Sequence, residues 1–160
     1  MPRSPAFGIR LSTAALGVLR AQRRAVAASI TATITTTKVG TWSATVTKSG
    51  EPLLWTDDQG NSYTGAAPSF TYAAAGTKTI TVRSSDGWAG LTTFTCANQN
   101  LTSLVGIEAW TAIQTFDVNT NTALVLDIAA LAAWRPTYAY FYSTGVSGNI
   151  AALADWRPTY

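Results

Sequence analysis

The sequence predicts a mainly β protein, in which a β-sandwich is followed by a short solenoid of repeated coils and preceded by a basic helical arm. Three observations predict it. Apolar and polar residues alternate from residue 30 onward, as in half-buried strands. The segment Ile128–Tyr138 recurs almost unchanged as Ile150–Tyr160, and the step between the two copies is typical of stacked coils. Residues 1–50 carry seven Lys or Arg side chains and no Asp or Glu, which makes the first segment basic.

The composition bounds the chemistry. The 160 residues suffice for one ordinary domain or two small ones, and charged residues are only 12% of the chain while apolar ones are 47%; this balance is typical of β-rich surface modules. There is no His, so a Ser-His-Asp triad is excluded and the commonest transition-metal ligand is missing. The single Cys96 is interpreted as a small buried apolar residue. We expect no catalytic residue, no metal site and no cofactor.

The arm spans residues 1–28. Ser12 and Thr13 are suitable caps for a helix over residues 13–28. Clustered positive charge predicts docking to an acidic partner, with a solvated tail as the alternative. The arm's candidate partner-binding residues are Arg3, Arg10, Arg20, Arg23 and Arg24.

The same segment imitates an export signal without matching one. An apolar run from Leu11 to Leu19 precedes small residues at 25–28, but Arg20, Arg23 and Arg24 lie between them, which is wrong for a cleaved signal peptide. The run is also too short to cross a bilayer. We expect an uncleaved chain without membrane insertion.

Residues 29–87 are predicted to form the β-sandwich. Alternation is clear over 30–35, 42–47 and 79–83, and turn signals rich in Gly, Asp, Asn and Ser separate these segments. Short antiparallel strands at this spacing favour two packed sheets.

This module resembles the PKD family. The resemblance rests on the segments 54–60 (Leu-Trp-Thr-Asp-Asp-Gln-Gly), 68–72 (Pro-Ser-Phe-Thr-Tyr), 75–82 (Ala-Gly-Thr-Lys-Thr-Ile-Thr-Val) and 85–87 (Ser-Asp-Gly). It implies an Ig-like sandwich used for spacing or adhesion. The acidic turn departs from the family's Gly-Asp-Gly. Asp57 and Asp58 could ligate calcium, but turn formation is the favoured interpretation.

Residues 88–160 are predicted to be the repeat module. The step from Ile128 to Ile150, which we call one repeat, also separates Phe94 from Phe116. Each unit offers a strand, near 92–96, 116–118 and 139–142, then a turn and an irregular or helical segment. Stacking of the units must supply their core.

The repeat resembles the leucine-rich-repeat family, whose form is L-x-L-x-x-N-x-L-x-G-x-I. Residues 146–150 (Val-Ser-Gly-Asn-Ile) fit its second half, and Asn121 falls on the asparagine position, where the family's side chain bonds backbone groups inside the turn. Gln99 and Thr144 replace it in the other units.

The order of the modules predicts their contacts. With a junction at Asp86-Gly87 and almost no linker, the sandwich should cap the first coil. Tyr160 falls just before the next expected strand, so we expect either that the chain continues or that a neighbour covers the last coil.

The strand near residue 140 carries the candidate ligand surface, made of Tyr138, Tyr140 and Tyr142. Alternation places Tyr140 and Tyr142 on the opposite face from Phe141. Exposed tyrosines could stack on sugars or anchor a protein; the alternative is that they are part of the core. Recurring Trp110, Trp134 and Trp156 are expected to pack.

These features favour a structural protein of a virus particle, a phage decoration protein, head fibre or tail-associated fibre, whose arm anchors on other virion proteins. We expect a homo-oligomer with a host-surface protein or glycan as a further partner, located in the virion; nucleic acid is not favoured. The alternative is an exported adhesin at the cell surface. A third interpretation is part of a carbohydrate-active enzyme whose catalytic domain lies beyond Tyr160.

Overall fold

A computed structural model of the protein describes residues 31–156, which are mainly β as the sequence predicts. The arm and residues 157–160 lie outside the described residues, so the predicted helix and the five arm arginines do too. The described residues contain thirteen strands: β1 (Thr31–Thr36), β2 (Gly40–Ser43), β3 (Thr45–Lys48), β4 (Leu54–Asp57), β5 (Ser62–Thr64), β6 (Ser69–Tyr72), β7 (Lys78–Arg83), β8 (Leu91–Thr95), β9 (Leu101–Val105), β10 (Thr115–Asp117), β11 (Val125–Asp127), β12 (Tyr138–Tyr140) and β13 (Gly145–Ser147). They also contain three 3-10 helices, Ile107–Ala109, Ile128–Leu131 and Ile150–Leu153.

Two sheets run through the described residues. The larger has the order β13-β11-β9-β1-β7-β4-β5, and the smaller has the order β12-β10-β8-β3. A short antiparallel pair, β2 with β6, continues the smaller sheet, because Ala44 N–H donates to Pro68 O at 3.3 Å and Val46 N–H donates to Ala66 O at 2.8 Å.

Alternation decides which side chains are inside. In β1, Ala32 and Ile34 are buried while Thr31, Thr33 and Thr35 remain partly exposed, because successive strand residues point to opposite faces. The sheets meet through their inner faces: Trp42 of β2 lies 6.3 Å from Trp55 of β4, ring centre to ring centre. Removing these large aromatic surfaces from water supplies the main favourable energy of the fold.

Both sheets cross the predicted module boundary at residue 87. Strand β1 pairs antiparallel with β9, with Ile34 opposite Leu104, and β3 pairs antiparallel with β8, with Val46 opposite Phe94. The buried apolar residues of the two segments form a single cluster. The first segment therefore covers the strand edges of the second through main-chain hydrogen bonds as well as through packing.

A charged contact fixes this boundary. The Lys48 ammonium donates to the Asp86 carboxylate at 2.5 Å, and Asp86 also accepts from Glu51 N–H at 2.8 Å and from the Ser84 hydroxyl at 2.9 Å. Gly50 has a φ of 84°, and a Cβ there would collide with the Asp86 carboxylate. These donors, the Lys48 ammonium first, hold the pKa of Asp86 below its ordinary value.

We expect Asp86→Asn to lower the melting temperature at pH 7. Because the pKa of Asp86 is lower in the folded than in the unfolded chain, its contribution to stability is fully present above the unfolded pKa of about 3.9 and is lost as pH falls below it. The difference in melting temperature between wild type and Asp86→Asn should therefore shrink below about pH 4. Calorimetry at several pH values checks this, with Glu51→Gln as the control; a difference that stays constant with pH would contradict it.

Parallel ladders build the second segment, and between its first two coils they pair residues one repeat apart. Phe94 of β8 is opposite Phe116 of β10, and Ser103 of β9 is opposite Val125 of β11. The aromatic rings follow the same order, since Phe94 stacks on Phe116 with 5.6 Å between ring centres. Phe94 and Phe116, which recur in the sequence, therefore occupy equivalent inner-face positions in successive coils.

Asn121 is a buried polar side chain at the turn between β10 and β11. Its Oδ1 accepts from Gln99 N–H at 2.9 Å and from Leu101 N–H at 3.0 Å. Its Nδ2 donates to Cys96 O at 2.9 Å and to Val118 O at 2.7 Å, with a longer contact to Asn119 O. One carboxamide therefore satisfies backbone groups of two successive turns, which burial would otherwise leave unpaired.

Candidate functional site

The candidate ligand surface lies on β12, the edge strand of the smaller sheet among the described residues. Ala139 points inward, opposite Phe116, so Tyr138 and Tyr140 point outward, and each is 44% exposed. Their rings are parallel, with an interplanar angle of 1° and 6.4 Å between centres. The backbone thus presents two aligned phenol rings on the outer face.

Tyr142 extends this row beyond the strand. Its side chain is 64% exposed, and its carbonyl accepts from Thr120 N–H at 2.9 Å, which keeps the segment beside the neighbouring turn. Phe141 lies on the other face, 5.8 Å from the Phe116 ring. Ser143 then turns the chain with a φ of 53°. We call Tyr138, Tyr140 and Tyr142 the tyrosine row.

Hydroxyl and carboxylate groups adjoin the tyrosine row. Thr115 is opposite Tyr138, and Asp117 is opposite Tyr140. The Asp117 carboxylate accepts from Asn119 N–H at 3.1 Å and from Asn119 Nδ2 at 2.5 Å, which fixes its orientation. Aromatic faces beside a carboxylate and hydroxyls can stack on the apolar face of a sugar, or receive an aromatic or cationic side chain.

Threonines continue this face across the sheet. Successive strands place Thr93 opposite Thr115 and Thr47 opposite Thr93. Asp117 follows Thr95 in the parallel row. The tyrosine row is therefore the aromatic margin of a broader hydroxyl-bearing face.

The charge of the described residues differs in sign from that of the arm. Residues 31–156 carry five basic and eight acidic side chains, a formal charge of −3, while residues 1–30 carry five arginines and no acid. The part of the chain after the arm is therefore acidic when it is counted by itself. Opposite charges on the two parts of one chain favour contacts between copies or with other charged partners.

The acidic turn after β4 uses its carboxylates for hydrogen bonds. Asp57 is buried; its Oδ1 accepts from Gln59 N–H at 3.0 Å and from Asn61 N–H at 2.8 Å, and Asp58 accepts from Thr79 N–H at 3.0 Å. This is the geometry of an Asx turn, which supports the interpretation of turn formation. Within residues 31–156, no cluster of three or more His, Cys, Asp or Glu side chains is placed to hold a metal ion.

Two further buried side chains, Tyr72 and Lys78, lie near this turn. The Tyr72 hydroxyl is buried and has no partner at hydrogen-bond geometry within the described part of the chain. Burial, together with the nearby Asp57 and Asp58 carboxylates, raises the pKa of Tyr72 above its ordinary value. Lys78 lies over the Tyr72 ring, with its Nζ 5.6 Å from the ring centre, and donates to Gly76 O at 2.9 Å. A buried Lys within a strand could have been found only from the tertiary contacts.

The lone cysteine lies in the core. Cys96 is 1% exposed, and burial raises the pKa of its thiol well above the ordinary value. A protonated, buried thiol behaves as a small apolar side chain. Its placement agrees with the interpretation drawn from the sequence.

No protein-family model, curated protein or solved structure matches the chain. In the part of the chain that the structure describes, helices are too short to span a bilayer.

Proposed function

We propose that the protein is a non-catalytic structural component of a virus particle, a phage decoration protein, head fibre or tail-associated fibre, that is held by its basic arm and presents the tyrosine row. The observation that carries the proposal is the row itself: three exposed tyrosines, two on β12 and one just beyond it, on a segment whose other face packs against the core through Phe141. Aromatic side chains on a rigid sheet bind partners with little loss of side-chain entropy.

We also propose that the described residues combine a PKD-like sandwich with leucine-rich-repeat-like coils. For the first, support comes from the Trp55 strand that leads into the Asp57 turn and from the buried Tyr72 that ends β6. For the second, support comes from the parallel ladders, which pair residues one repeat apart between the first two coils, and from the Asn121 carboxamide that bonds the turn backbone. Both are modules for spacing and binding, and the analogy supports a role without chemistry.

The arm supplies the anchor in this proposal. Five arginines without a neighbouring acid favour an acidic surface of another virion protein. Purified particles should contain the chain by mass spectrometry. Replacing the five arm arginines with glutamine should release it from particles at lower salt, whereas replacing them with lysine should retain it, because an electrostatic contact depends on charge. Particles that lack the wild-type chain would end the proposal.

The alternative function is that of a cell-surface adhesin, and the same purification and mass spectrometry distinguish it. Recovery from the surface of a bacterial cell, with mature chains that begin near Ala28 or Ser29, would establish the adhesin in its place. The tyrosine row would then serve the same binding role on a different carrier.

Truncating the tyrosine row should weaken binding to its protein or glycan partner. We expect Tyr140→Ala to weaken binding at least about tenfold, because aromatic anchors dominate binding surfaces, and the triple change of Tyr138, Tyr140 and Tyr142 to Ala to abolish it. Tyr63→Ala is the matched control. Tyr63 is also exposed, but it lies on β5, which is an edge strand of the larger sheet and not of the sheet that contains β12. Whole-cell or glycan-array binding measures the effect; equal losses for Tyr63→Ala and Tyr140→Ala would contradict it.

A further inference from the structure

At the outer edge of β12, one pair of backbone groups has no strand partner among the described residues. Tyr138 N–H donates to Gln114 O at 2.9 Å and Tyr140 O accepts from Val118 N–H at 3.2 Å, so both residues direct their backbone toward β10. In a strand the residue between them directs its N–H and C=O to the other side. Those of Ala139 consequently face outward, where the described residues provide no further strand.

The same end leaves apolar side chains only partly covered. Trp134 and Leu131 are fully buried, whereas Trp156 and Leu153, which occupy the same positions one repeat later, are half-buried. Ile150 is 72% exposed. The side chains in the last coil are therefore more exposed than their equivalents one repeat earlier. Exposed apolar side chains of this kind are typical of a surface that another molecule covers.

Strand β12 has only three residues, and it carries none of the side chains that usually oppose strand pairing. Natural edge strands carry a Lys, a Pro or an inward-pointing charge that prevents pairing. Strand β12 reads Tyr-Ala-Tyr and is followed by Phe141 and Tyr142. An uncharged, aromatic edge whose backbone groups have no partner in residues 31–156 favours addition of another strand.

We propose that a second copy of this chain pairs with β12 in antiparallel orientation about a two-fold axis at Ala139. The sequence Tyr-Ala-Tyr reads the same in both directions, so the strand is complementary to itself. Ala139 would face Ala139 of the other copy and exchange both of its free hydrogen bonds, as in a hydrogen-bonded antiparallel pair. A two-fold contact of this kind closes on itself and gives a dimer.

The tyrosines are at the right positions for this pairing. Tyr138 would lie opposite Tyr140 of the other copy, at the non-hydrogen-bonded positions where facing side chains come closest. Aromatic cross-strand pairs at such positions are favourable. The two tyrosine rows would then form one continuous surface. This inference goes beyond the proposed role and holds whether or not the chain belongs to a particle.

Sedimentation velocity of the full chain over a range of concentrations tests the proposal. Wild type should sediment as a dimer. Tyr138→Lys combined with Tyr140→Lys should be monomeric, because the two introduced lysines would face each other across the axis; the corresponding double change to Glu should also be monomeric. An equimolar mixture of the two variants should restore the dimer.

A further variant tests the register. Tyr138→Lys combined with Tyr140→Glu places opposite charges face to face in the antiparallel pairing and should dimerise, whereas a parallel pairing would place like charges together. Circular dichroism and melting temperature confirm that each variant is folded, which exposed positions should permit. A wild-type chain that stays monomeric, or a Lys/Glu variant that stays monomeric while wild type dimerises, would overturn the proposal.

Discussion

Replacing Asn121 with alanine should lower the free energy of unfolding by about 3–5 kcal/mol, because several buried backbone groups lose a side-chain partner at once. The carboxamide accepts from Gln99 and Leu101 N–H, and it donates to Cys96 and Val118 carbonyls. The residue itself is 0% exposed, so water cannot replace these bonds without entering the core. Each unpaired buried group costs about 1–3 kcal/mol.

Asn149→Ala is the matched control. Its Oδ1 accepts from Ala151 N–H at 3.0 Å as the cap of a 3-10 helix, and the residue is exposed. We expect a loss of about 1 kcal/mol, the usual value for a helix cap. Urea unfolding monitored by tryptophan fluorescence measures both variants. If Asn149→Ala cost as much as Asn121→Ala, the burial of the carboxamide would not be the cause.

Two turns of the repeat have another residue, Gln99 or Thr144, in place of the asparagine, and the contacts of these side chains differ from those of Asn121. Gln99 stands at the corresponding position of the preceding turn, and its Oε1 accepts from Ser43 N–H at 3.0 Å while its Nε2 donates to Ala97 O at 3.2 Å. The longer side chain reaches the break between β2 and β3. The hydroxyl of Thr144, in the following turn, makes local bonds in the described part of the chain: it donates to Phe141 O at 2.5 Å and accepts from Val146 N–H at 3.4 Å.

Local patterns predicted the elements that depend on local sequence. Alternation around Ile34, Val46 and Ile80 identified β1, β3 and β7, since each has one buried face. The same rule placed Tyr140 and Phe141 on opposite faces. The recurrence of the sequence correctly anticipated Phe94 opposite Phe116.

Contacts between distant segments were harder to predict. The pairing of β1 with β9 joins segments far apart in the chain and leaves no local signal. The second ladder of β9, β11 and β13 was missed because β11 and β13 are very short, and β13 starts at Gly145, a weak strand former. Leu101 is buried while Ala123, one repeat later, is exposed, because Leu124 takes the inner position after the turn that follows Asn121.

The second large effect is expected for Trp134→Ala, which should cost about 3–5 kcal/mol of unfolding free energy, the usual range for a buried tryptophan. The ring is 0% exposed and lies 4.9 Å from Phe116 and 6.5 Å from Trp110, between ring centres. Truncation therefore opens a cavity between two coils. Urea unfolding checks the value.

Trp156 provides the comparison, because it occupies the same position one repeat later and is only half-buried. Trp156→Ala should cost clearly less than Trp134→Ala, since less apolar surface returns to water. The loss of unfolding free energy for Trp134→Phe should lie between those for Trp134→Ala and Trp156→Ala. This change keeps most of the ring and removes an indole N–H that has no hydrogen-bond partner among the described residues. If a second copy covers β12, the loss of unfolding free energy for Trp156→Ala should approach that for Trp134→Ala as protein concentration rises. The reason is that association by mass action adds stability to the covered end.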